Sequence, residues 1–155
     1  MKINQSAGIL LYRYRIDQLE FLLVHPGGPF HLHKDLGNWS IPKGEFDKNE
    51  NALDAAKREF EEELGQKLEA KHLVELTPIK QKSGKRVFAW AAEGDVDAGS
   101  IKSNVIQIEF PARSGNWINV SEVDKAEWFP FETAKQKINP AQASLLDELV
   151  AILQD

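Results

Sequence analysis

The chain predicts an α/β domain in which a mixed β-sheet lies between helices. Three observations carry that prediction. Two β-rich runs open the chain and are joined by a short connection, an amphipathic helix occupies the middle, and a second helix closes the C-terminal end. With 155 residues the chain is long enough for one hydrophobic core, so residues 1–155 read as a single domain.

The elements follow in order. Ala7 to Arg15 (AGILLYRYR) is rich in aliphatic and aromatic residues, and Tyr12 and Tyr14 alternate with Arg13 and Arg15 as in a strand. Ile16-Asp17-Gln18 connects it to a second strand, Glu20 to His25, which Pro26-Gly-Gly-Pro29 stops. Phe30 to Leu36 is a loop carrying His31, His33 and Lys34. The H-x-H pair has no further zinc ligands beside it and reads as a solvated or substrate-facing loop, with Lys34 a candidate contact to phosphate. Trp39 and Ile41 suit a short buried strand that Pro42 ends.

Further on, Leu73–Gln81 and Arg86–Ala92 read as a hairpin around Ser83-Gly84-Lys85. Glu93 to Ser103 is polar and reads as a loop. Val105–Phe110 alternates cleanly, with Val105, Gln107 and Glu109 on one face and Ile106, Ile108 and Phe110 on the other. Pro111–Asn116 is a loop containing Arg113, a second candidate phosphate contact. Val123 and Ala126–Pro130 form a short strand, Phe131–Ile138 a short helix, and Pro140–Gln154 the last helix, with Leu145, Leu149 and Ile152 toward the core.

The stretch Gly44 to Gln66 departs from this regular grammar. Leu53, Ala56, Phe60 and Leu64 recur at helical spacing, Asn51 suits the N-cap with Asp54 in the first turn, and Gly65 suits the stop. Glu59, Glu62 and Glu63 sit at i, i+3 and i+4, so like charges converge near the negative end of the helix. Arg58 pairs with Glu62, and Lys57 with Glu61, at four-residue spacing, which offsets part of the repulsion. An acidic run on a helix is commonly a solvated face. The alternative is that a hard divalent cation resolves the conflict, since Mg²⁺ takes a few carboxylates, keeps several waters and is completed by phosphates.

The wider spacing favours the cation. Gly44, Glu50, then Arg58-Glu59-Phe60-x-Glu62-Glu63-x-Gly65 resembles the Nudix box of the Nudix hydrolases, and Trp39-x-x-Pro42-Lys43-Gly44 resembles the run that precedes it. Gln66 departs, standing where the family pattern has an aliphatic residue. The resemblance implies an α/β/α sandwich with a mixed sheet and a loop–helix–loop that holds Mg²⁺, or Mn²⁺. It implies hydrolysis of a phosphoanhydride bond in a nucleoside diphosphate linked to another group. In look the chain is nearest to the dinucleoside polyphosphate hydrolases and nucleoside triphosphate pyrophosphohydrolases.

Carried residue by residue, the resemblance makes Glu59 and Glu63 metal ligands and Glu62 a ligand or the general base. The Lys43 backbone carbonyl is a further ligand, and Gly44 and Glu50 support the site. Arg58 orients a carboxylate. The Lys43 side chain reads either as a phosphate contact or as a surface lysine in a turn. Family members often add an acid from a later strand or loop. Glu109 is the candidate, with Glu122 and Asp124 in reserve. Trp90, Trp117, Phe30 and Phe110 are aromatics that stack on a base or fill the core.

Composition bounds the alternatives. A net charge of −5 argues against generic nucleic-acid binding, and the absence of cysteine excludes disulfides, thiol catalysis and cysteine zinc sites. Arg13 interrupts the N-terminal apolar run before a signal peptide could form, and no run is long enough to span a membrane. A cytoplasmic protein with a small nucleotide substrate is the resulting expectation. Two other classes are a non-catalytic Nudix-fold nucleotide-binding module and an acidic-helix interaction protein. An intact set of three box glutamates argues against the first.

Overall fold

The computed structural model describes residues 4–154, so the first three positions and the last of the expected domain lie outside the described residues. Its central strand is β1 (Gln5–Arg15), apolar on both faces. Ala7, Ile9 and Leu11 are buried on one side, Leu10 and Tyr12 on the other. A strand covered on both faces belongs in the middle of a sheet between two layers. Ile16 and Asp17, with φ of 50° and 62°, turn it into β2 (Gln18–Pro26) with Arg15 opposite Gln18. Such a two-residue left-handed turn matches the twist of paired strands.

The other strands are β3 (Lys43–Glu45), β4 (Ala70–Glu75), β5 (Ile79–Lys80), β6 (Arg86–Gly94), β7 (Val105–Glu109), β8 (Trp117–Ser121) and β9 (Val123–Pro130). The main sheet runs β4-β6-β1-β2-β9, with β3 on β1 and β5 on β6. Among the described residues β1 and β6 are the only strands of this sheet that pair in parallel, so the sheet is mixed, as expected.

Helix α1 (Ala52–Leu64) covers one face, burying Ala55, Ala56, Phe60 and Leu64 against Ala7, Ile9, Leu11, Leu22 and Val24. Helices α2 (Phe131–Lys137) and α3 (Ala143–Leu153) cover the other, where Ala134, Leu145, Leu146 and Leu149 meet Leu10, Phe21, Leu23 and Val87. The result is the α/β/α sandwich. Burying one such side chain stabilises the fold by about 1.5–3 kcal/mol. No helix among the described residues is long and apolar enough to cross a membrane.

Several boundaries differ from the sequence expectation. The Trp39–Ile41 strand is reduced to isolated bridges, Val24 with Ser40 and Trp39 with Ile138, and pairing resumes after Pro42 as β3. The first arm of the later hairpin is split, because Thr77 leaves the ladder and donates to Glu148 on α3. The last helix starts with a 3₁₀ turn, Pro140–Gln142, capped by Asn139. Strand β8 was not expected. It pairs only with β7, as a ribbon outside the main sheet. A two-stranded ribbon is marginal alone, and this one rests on the loop after β2. There Phe30 meets Phe110 edge-on at 5.3 Å between ring centroids.

Candidate active site

Helix α1 begins and ends as its sequence dictates. The Asn51 side chain accepts from the Asp54 amide at 3.1 Å, and Gly65 takes the left-handed conformation with φ of 66°. Gln66 does not loosen the exit. Its side chain accepts from the Asp97 amide and donates to the Asp97 carbonyl, fastening the helix end to the loop after β6.

The buried face of α1 is wider than the apolar stripe, because it includes Glu59 and Glu63, while Leu53 is only half-buried. Glu62 points outward. The acids therefore divide into two held against the sheet and one at the rim. Arg58 ties Glu59 to Glu62. Its guanidinium donates twice to Glu50, at 2.8 and 2.9 Å, and through Nη1 to Glu59 at 2.8 Å and Glu62 at 3.3 Å. The expected Lys57–Glu61 pair is replaced by a cap, since the Glu61 carboxylate accepts from the Leu68 amide.

Strand β3 lies under these carboxylates. The Lys43 amide donates to Glu63 at 3.3 Å, and a Cβ on Gly44 would overlap the Glu59 carboxylate. Gly44 is thus required by close approach. Burial pushes the Glu63 carboxyl well above the usual glutamate range, and the charge of Glu122 pushes it further. Burial raises Glu59 as well, against the pull of Arg58. Glu122 is itself raised by burial, with a hydrogen bond to Asn104 opposing. Lys43 is lowered by burial, with Glu63 opposing. Carboxyls in this position are relieved either by a proton or by a cation.

Among the described residues, no three acidic or histidine side chains are gathered closely enough to enclose an ion by themselves. An open Mg²⁺ site needs no such cage, because water and substrate phosphates complete it. The residues fit that kind of site. Glu59 and Glu63 offer hard carboxylate oxygens, and the absence of a Gly44 side chain lets the Glu59 carboxylate lie close against β3.

The structure brings Glu122, and not Glu109, beside Glu63. Glu109 lies at the tip of the ribbon, where its carboxylate accepts from the amides of Arg113 and Gly115 at 3.2 and 2.8 Å. Arg113 belongs to the same exposed turn, with φ of 62°. The ribbon turn keeps both residues, and it is the Glu122 charge that Glu59 and Glu63 feel. Asp124, the other reserve, is engaged with His25 at 2.8 Å. Glu122 is placed by backbone bonds. Its amide donates to the Asn104 carbonyl, the Asn104 amide to Glu62, and its own carbonyl accepts from Gly27.

A cavity of about 340 Å³ opens beside Glu63, Glu122 and Lys43, and His31, Gln81 and Asn139 line its other side. Sequence reasoning missed Gln81 and Asn139, which carry no motif and meet only through the fold. Lys34 is exposed in the loop, and its carbonyl is held by His25. Of the four aromatics, Trp90 packs into the core, while Phe30, Phe110 and Trp117 are exposed.

A family model described as NUDIX domain matches residues 3–149. The bis(5'-nucleosyl)-tetraphosphatase [asymmetrical] of Rattus norvegicus is 32% identical over 102 residues, covering 57% of this chain and 64% of that protein's length. The 8-oxo-(d)GTP phosphatase of Mycolicibacterium smegmatis is 32% identical over 103 residues, covering 65% of this chain and 26% of its own. Among solved structures, a C. elegans Ap4A hydrolase binary complex superposes with a TM-score of 0.68 at 25% identity, covering 96% of this chain and 98% of that one.

Proposed function

The chain belongs to the NUDIX domain family, and from that premise we propose that it hydrolyses phosphoanhydride bonds in small nucleotides. It acts as a single cytoplasmic domain and depends on Mg²⁺ or Mn²⁺. The observation that carries this reading is the pair of buried box acids, Glu59 held by Arg58 and Glu63 lining a cavity with the half-buried Glu122.

When bound, the divalent ion would neutralise charge on phosphate oxygens and lower the pKa of the attacking water. Glu59, Glu63 and the Lys43 carbonyl would hold it, with Glu122 as the later acid in place of Glu109. Arg58 keeps Glu59 oriented, and Glu50 keeps Arg58 in place. Glu62, exposed at the rim, is free to serve as ligand or to take the proton from water. The Lys43 side chain faces the same cavity and meets phosphate. Direct in-line attack by water follows, since the chain has no cysteine and no recognisable nucleophile motif.

The preferred substrate is a dinucleoside polyphosphate, supported by the rat and C. elegans relatives. A nucleoside triphosphate is the second reading. It is favoured by a cavity of about 340 Å³, which has room for one nucleoside. A panel of both classes with Mg²⁺, in ¹⁸O-labelled water, separates them. The expected result is label on one phosphorus of a nucleotide product, with activity lost in EDTA. A trapped phosphoenzyme, or no hydrolysis of any member, overturns the proposal.

A further inference from the structure

His25, at the end of β2, is almost fully buried, yet both of its ring nitrogens face oxygen. Nδ1 lies 2.8 Å from an Asp124 carboxylate oxygen, and Nε2 lies 2.6 Å from the Lys34 carbonyl. A carbonyl only accepts, so Nε2 must carry a proton. The ring thus joins the Asp124 carboxylate to the Lys34 carbonyl through its two nitrogens.

This ring spans two parts of the molecule that the site needs together. Lys34 belongs to the loop after β2, whose His31 lines the cavity and whose Phe30 supports the ribbon at Phe110. Asp124 stands on β9, two residues beyond Glu122. Downstream, the loop is already tied by Asp35 to Trp39 and Lys137. Upstream of Asp35, His31 meets Asn38 at 3.4 Å and Phe30 meets Phe110, and His25 supplies the side-chain tie to β9.

We propose that His25 is a positioning residue of the active site, whose ring, engaged through both nitrogens, holds the 28–34 loop against β9 and so sets the cavity wall. The role rests on the reading of that cavity as the substrate site. Loss of the ring releases the loop from β9. The charged or titratable groups around the ring are Asp124 and Lys125 on β9, His31 and Lys34 in the loop, and Asp35 beyond it. Lys125 lies over the Trp39 ring that packs edge-on against His25.

The test uses the full chain, with amide exchange and steady-state kinetics of the wild type, His25→Ala, His25→Gln and Asp124→Ala. In His25→Ala, exchange at His31–Lys34 should quicken about tenfold, and KM for the substrate the panel selects should rise about tenfold while kcat holds. Asp124→Ala, which removes the β9 end of the clasp, should move exchange and KM in the same direction. His25→Gln, whose amide still donates to the Lys34 carbonyl, should recover part of both. Unchanged loop exchange in His25→Ala, or quickened exchange with KM at the wild-type value, overturns the proposal. If no nucleotide is hydrolysed, the functional reading falls, while exchange still decides the clasp.

Discussion

Glu63 illustrates how one residue can weaken the fold and serve the site. Its carboxyl is raised by burial and by Glu122. A group whose pKa is raised on folding contributes stability that is full below its unfolded value, near 4.3, and is lost as pH rises through the folded value. In EDTA at about pH 8, Glu63→Gln should therefore melt several degrees above wild type, with the gain vanishing toward pH 4. Millimolar Mg²⁺ should reverse the order, because it stabilises only the protein that binds it. Thermal melts at two pH values, with and without Mg²⁺, check this. Glu62, at the rim, should behave differently. Glu62→Gln should leave the melting temperature unchanged and lower kcat by about 10²–10⁴ if it is the general base.

At the scale of the element, α1 has two duties on adjoining sectors. Phe60 is fully buried in the core against β1, whereas Glu59 and Glu63 lie against β3, with Glu63 at the cavity. Phe60→Ala should cost about 3–5 kcal/mol in denaturant unfolding. Gly44→Ala tests the other sector. The added methyl would strike the tip of Glu59, a side chain that can swing aside, so stability should change little. Displacing that carboxylate should cost most of the activity and the Mg²⁺-dependent rise in melting temperature. A variant that unfolded instead would show that the strand, not the carboxylate, depends on the glycine.

The whole molecule decides which distant acid comes near the helix carboxylates. Glu109 and Glu122 flank the same ribbon, one at its tip and one at its base, where Asn104 and Gly27 fix the backbone. Glu122→Gln should lower kcat by at least an order of magnitude, and Glu109→Gln should leave kcat near wild type while loosening the ribbon turn. Steady-state kinetics of the two variants, with amide exchange at residues 113–115, distinguish the assignments. Equal losses in both would remove Glu122 from its place.

Local rules determined a good deal of this protein. Asn51 and Gly65 bound α1 because capping is a matter of a few neighbouring residues, and the Arg58–Glu63 spacing announces its chemistry on one helix turn after another. The order and patterning of the apolar runs were enough for an α/β domain with a mixed sheet between helices, while the α/β/α sandwich came from the resemblance carried by the Gly44–Gln66 spacing. Tertiary structure decided what adjacency along the chain cannot encode. It turned Glu59 and Glu63 inward and left Glu62 outside, because α1 rests on β1 and β3 by a face broader than its apolar stripe. It gave Glu109 to a hairpin turn, brought Glu122 to the box, and enclosed a cavity with Gln81 and Asn139. Those placements depend on strand order and on backbone hydrogen bonds between segments far apart in sequence. Burial and charge coupling are properties of such packed arrangements, so they exist only once the chain has folded.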